Sequence, residues 1–150
     1  MARINVGRVI LGGIVAGIVA DVLGYLVDGM LLAPQWAAGM KALGRPEFTM
    51  SQIMLFNFIG LAQGIFTVWL YAAIRPRYGA GPKTAICAGL AVWFAAILLP
   101  NVGFMLASGL FPNNLTFATT AGGIVEWVVA ALIGAALYNE GPDSAVAATA

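Results

Sequence analysis

The sequence predicts an all-α fold, a bundle of four helices that each cross a membrane, and three observations carry the prediction. The first is composition: 61% of the 150 residues are hydrophobic and 9% are charged, with a mean hydropathy of +0.94. A soluble domain usually carries about 25% charge, and a small one leaves much of its area exposed, so water alone cannot be the solvent. The second is the presence of four apolar runs, each near the roughly 20 residues that a spanning helix needs. The third is that none of them alternates polar and apolar residues, as a membrane barrel would, which leaves helices as the spanning element.

The first run extends from Gly7 to Met30. Arg3 and Arg8 ahead of it imitate the start of a signal peptide, but the apolar stretch from Val9 to Leu32 ends in no small-residue cleavage site and reads as a retained span. The second lies between Gln52 and Ile74, where Thr49 and Gln52 have capping-box spacing and Arg75-Pro76 is expected to end the helix. The third lies between Thr84 and Ser108, with Pro100 read as a kink rather than an end. The fourth runs from Leu115 to Tyr138, with Asn113, Asn114 and Thr116 as cap candidates and Gly141-Pro142 as its close. Residues 1–140 thus form one transmembrane domain, and residues 141–150 read as a flexible tail.

The loop from Leu31 to Met50 is the one long connection. Trp36, Met40 and Leu43 stand at helical spacing with Lys41 nearby, so the segment reads either as a short helix lying on the membrane surface or as an ordered loop over the bundle. Arg3, Arg8, Arg75, Arg77 and Lys83 fall on one side, Lys41 and Arg45 on the other. The side richer in Lys and Arg is the cytoplasmic one, so both termini are expected inside. Tyr71, Tyr78 and Tyr138 are then expected near the inner interface.

Small residues mark where helices approach closely in lipid. Gly12, Ala16, Ala20 and Gly24 recur every four residues in the first span, beside Gly13 and Gly17. Gly60 and Gly64 do so in the second, and Gly122, Ala130 and Gly134 in the fourth. The segment Gly12-Gly13-Ile14-Val15 also echoes Gly122-Gly123-Ile124-Val125, either as a repeat or through shared composition.

Two acids fall inside the spans, Asp21 in the outer half of the first and Glu126 near the middle of the fourth, while Asp28 is close enough to the outer end to reach water. An ionised side chain at a helix centre costs about 2.5–3.5 kcal/mol on insertion scales. Arg8 lies about 20 Å from Asp21 along the helix, so no cation shares their depth and each acid is expected protonated or strongly hydrogen-bonded. Asn57, Gln63 and Asn101 are the candidate partners, with Asn57 best placed to meet Asp21.

These groups support two readings. They are interhelical hydrogen bonds that fix register, or they form a proton- or cation-linked path for a small solute. An enzyme is not expected: there is no histidine to activate Cys87, Ser51 or Ser108 as a nucleophile. The missing histidine also argues against histidine-ligated haem and the common zinc sites, so neither cofactor nor metal is expected. The scattered basic residues give no footprint for nucleic acid.

The segment Pro34-Gln35-Trp36-Ala37-Ala38-Gly39-Met40-Lys41-Ala42-Leu43-Gly44 resembles the loop after the first span in small bacterial four-helix integral membrane proteins grouped as a domain of unknown function. The resemblance implies fold and an inner-membrane location, and no activity. Small multidrug transporters share the span count, but they carry their glutamate in the first span, where this chain has Asp21. The expectation is therefore a non-enzymatic membrane component, an accessory subunit of a larger membrane complex or a homo-oligomer in the lipid bilayer. The alternative is a small proton- or cation-coupled transporter using Asp21 and Glu126.

Overall fold

The computed structural model describes residues 4–140, so Arg3, Gly141-Pro142 and the expected tail 141–150 lie outside it. Within that range the chain forms helices α1 (Val6–Leu31), α2 (Ala33–Ala42), α3 (Met50–Tyr78), α4 (Pro82–Leu106) and α5 (Asn113–Ala136), and no strand. All but α2 are long and apolar enough to cross a membrane. The shortest of these four has 24 residues, about 36 Å at 1.5 Å per residue, against a hydrocarbon core of about 30 Å.

Local chemistry sets the helix ends. Asn5 Oδ1 accepts the Arg8 amide at 3.2 Å and caps α1. The Thr49–Gln52 capping box forms at the start of α3: Thr49 N donates to Gln52 Oε1 at 2.9 Å, and Gln52 N donates to Thr49 Oγ1. Three expected boundaries shift. Pro76 does not end α3, which continues to Tyr78 and stops at Gly79 with φ +87°. A proline removes one donor and crowds the preceding turn, a loss the last turn tolerates, whereas positive φ ends the helix. Pro112 takes the position ahead of α5, so Asn113 and Asn114 lie in its first turn and do not cap it. At its other end α5 stops at Ala136.

The expected Pro100 kink takes the form of widened turns. The helix continues through Pro100 with π-helical segments on both sides, Phe94–Leu98 and Asn101–Leu106. Ala107 N donates five residues back to Val102 O at 2.9 Å. A third π-helical turn, Tyr25–Leu31, ends α1, with Leu32 N bonded to Val27 O at 2.8 Å. Each extra residue per turn changes the direction in which later side chains point.

The four long helices run up and down in turn. α1 packs between α3 and α5, and α4 closes the bundle against α5 and α3. The core is built from small side chains, among them Ala16, Ala20, Ala72, Ala85, Ala88 and Ala130. Large residues such as Ile10, Ile18, Phe58, Phe66 and Phe117 face outward. On the α1–α5 side a Cβ at Gly12 would overlap the Gly134 carbonyl, and one at Gly122 would press on Val27. The Gly12/Gly122 echo thus has a packing counterpart, since two antiparallel helices bring the glycines near their opposite ends together. On the α1–α3 side Gly13 and Gly17 lie against Ile65, Leu61 and Gly64, with backbone on backbone.

At the end where α1 begins, tyrosines tie the helices together. Tyr138 and Tyr71 meet edge to face with centroids 6.0 Å apart, and the Arg75 guanidinium lies 5.7 Å above the Tyr138 ring. Tyr138 Oη accepts Asn5 N and Tyr71 Oη accepts Gly81 N. Both rings are buried, so of the three tyrosines expected to face an interface only Tyr78 is exposed.

Candidate functional site

At the opposite end α2 lies against the π-helical turn of α1. Pro34 opens it, where a missing amide costs nothing, and its inner side carries Trp36, Gly39 and Met40. Gly39 leaves room for Phe111. Trp36 meets Phe111 edge to face at 5.2 Å and Phe48 at 6.0 Å, and Phe48 in turn meets Phe56 of α3. The loop after the first span is therefore a helix under which a chain of aromatic rings forms. Its indole Nε1–H donates to Asp28 Oδ1 at 3.0 Å. Asp28, expected to reach water, is half-buried, and one of its oxygens is held by Trp36.

The two acids of the spans occupy different seams. Asp21 turns toward α3 and rests on Gly60, where a Cβ would collide with its carboxylate. Its expected partner Asn57 lies a turn further along α3 and is exposed, because the stretch from Met50 to Ile59 is exposed at every residue. Beyond Gly60, α3 makes no extensive contact with α2 or with the π-helical ends of α1 and α4. Gln63 is half-buried and lines a groove of about 300 Å³ between α3 and α4, beside Phe58, Ile59, Phe66 and Val92. Neither Asn57 nor Gln63 belongs to a buried polar cluster, which corrects the expectation for both.

Asn101 joins a network that the sequence reading missed. Its Nδ2 donates to Thr120 Oγ1 at 2.8 Å, Thr120 Oγ1 donates to Thr116 O at 2.6 Å, and Trp93 Nε1 donates to Thr120 O at 2.8 Å. Thr116, Thr119 and Thr120 are all buried. Their spacing on one face of α5 was the available signal.

Glu126 sits in the α1–α5 seam at 8% exposure. A carbon added at Gly24 would lie 3.6 Å from its Oε2, so the carboxyl group rests over the Gly24 backbone. Its Oε1 is buried without a hydrogen-bond partner. Asp28 follows Gly24 by four residues, next to Val27, whose side chain lies against Gly122 one turn from Glu126. Among the described residues no three His, Cys, Asp or Glu side chains gather as metal ligands would, and Cys87 is exposed. What the arrangement offers is one buried carboxyl group, a second carboxylate held by an indole, and, apart from them on α3, the exposed amide of Asn57. The chain matches no protein-family model, no curated protein and no solved structure.

Proposed function

We propose that this chain is a multi-pass membrane protein, both termini cytoplasmic, that acts without catalysis as an accessory component of a larger membrane assembly. Four apolar helices with large side chains turned outward and small ones inward suit a lipid solvent better than water,. Arg8, Arg75, Arg77 and Lys83 share one end of the bundle, which the positive-inside rule assigns to the cytoplasm. The resemblance of the Pro34–Gly44 segment to bacterial four-helix membrane proteins accords with this placement.

The observation that carries the assembly is the exposure of Asn57 on α3 among Phe56, Phe58 and Ile59, with Gln63 half-buried in the groove nearby. A carboxamide facing hydrocarbon without a partner costs several kcal/mol, and a helix that brings hydrogen-bonding side chains to the same depth removes that cost. The occupant is therefore a partner's transmembrane helix carrying a polar group opposite Asn57. Transport through Asp21 and Glu126 jointly is the weaker reading, since Asp21 faces α3 in one seam and Glu126 faces α1 in another.

Purification from native membranes in mild detergent tests the assembly. The expected result is a stoichiometric second polypeptide that Asn57→Leu releases while helicity and thermal midpoint stay unchanged. A particle containing this chain alone, as monomer or homo-oligomer, overturns it.

A further inference from the structure

Glu126 brings a carboxyl group into a seam that offers it no donor. Nor does any helix around it supply a positive charge. α5 has no other charged residue, α3 has only Arg75 and Arg77, α4 only Lys83, and α1 only Arg8, all at the far end of the bundle. Lys41 lies on the exposed side of α2. The ionisable groups of α1 near this region are Asp28, which follows Val27 where that side chain meets Gly122 one turn from Glu126, and Asp21, which turns away toward Gly60.

An ion pair is therefore not open to Glu126. A metal ion is poorly served too, since hard cations take about six oxygens or more and no cluster of three ligating side chains forms here. A proton needs one oxygen. The next turn of α1 supplies a route for it: the carboxyl group lies against Gly24, and Asp28 follows four residues nearer the bundle end. Trp36 holds Asp28 by one oxygen and leaves the other to accept. That turn of α1 is π-helical, a distortion that recurs at functional sites.

We propose that Glu126 is a buried proton-binding residue that exchanges its proton with the α2 side of the membrane through Asp28, with Trp36 as the positioning residue of the relay. In the outward step the Glu126 O–H bond breaks and an O–H bond forms on Asp28, which passes the proton to water at the α2 end. Glu126 is left as a carboxylate and recovers its proton by the reverse steps. Nothing in this requires a partner on α3.

Infrared difference spectroscopy of the full chain in phosphatidylcholine vesicles, switched from H2O to D2O at fixed pH, tests the relay. The expected result is a protonated-carboxyl band that shifts in D2O and that Glu126→Gln abolishes. Asp28→Asn slows the shift by roughly 100-fold, the scale on which a positioned proton acceptor acts. Trp36→Phe slows it less, and Asp21→Asn leaves it unchanged. Glu126→Asp retains an exchangeable band, which separates loss of the carboxyl from loss of the fold. The proposal is overturned if Glu126→Gln of native helicity keeps the band, if Asp28→Asn exchanges at the wild-type rate, or if sodium at constant pH and ionic strength displaces the band.

Discussion

Gly64 is where a single added carbon strains the bundle most directly. A Cβ there would overlap the Gly17 backbone and the Gly13 carbonyl oxygen. No side chain can swing aside to relieve this, so α1 and α3 must move apart along the seam that Gly13, Gly17 and Gly60 share. Overpacking of a tight interface costs typically about 1–3 kcal/mol. Replacing glycine by alanine within a helix returns about 0.8–1.0 kcal/mol of propensity. The clash outweighs the propensity gain over most of that range, and Gly64→Ala is expected to destabilise by up to about 2 kcal/mol, a factor of up to roughly 30 in the folded ratio. Gly103→Ala is the matched control, since an added carbon there meets nothing within 4 Å, and its expected effect is neutral to slightly stabilising. The assay is reversible unfolding in mixed micelles by increasing dodecyl sulfate, followed by circular dichroism and tryptophan fluorescence. Gly64→Ala at wild-type stability, or Gly103→Ala equally destabilised, refutes the backbone-contact argument.

Three further substitutions test separate contacts. Thr49→Ala removes the capping box of α3 and should weaken that end by about 1 kcal/mol, read as faster amide exchange in its first turn with little change in the global midpoint. Thr120→Val leaves the Asn101 amide without its acceptor and should cost about 0.6 kcal/mol, with about 1.7 as the ceiling for such bonds, in the same dodecyl sulfate titration. Tyr138→Phe keeps the ring against Tyr71 and Arg75 but removes the acceptor for Asn5 N, a loss of about 1 kcal/mol measured the same way.

The four long helices were legible because a spanning run is a one-dimensional property, a count of apolar residues that needs no knowledge of neighbours. The inward turn of the small residues followed from spacing along each helix. Which groups meet across helices was not legible, and the acids show why. Asp21 turns toward α3 but meets Gly60 rather than Asn57, because α3 stands clear of the other helices beyond Gly60. Divergence of two helices leaves no mark in either sequence. The π-helical turn at Tyr25–Leu31 likewise changes the heading of Asp28, and helical spacing taken from a regular α-helix cannot anticipate Trp36 as its partner. The Thr116–Thr120 ladder carried a signal at i, i+4, but threonines near a helix start read first as caps. Pro76 and Pro112 moved boundaries by only a few residues, as expected where one lost donor competes with the rest of a turn.

The central claim is a four-crossing bundle with both ends of the chain on the cytoplasmic side, and labelling of single cysteines in intact cells tests it most directly. In a Cys87→Ser background, Gln35→Cys on α2 and Leu110→Cys between α4 and α5 should react with a membrane-impermeant maleimide before permeabilisation. Asn5→Cys and Gly79→Cys should react only after it, and Leu99→Cys, on the exposed apolar surface of α4, with neither treatment until detergent is added. Labelling of Gly79→Cys in intact cells together with Gln35→Cys, or release of the chain from membranes by alkaline carbonate, would contradict it.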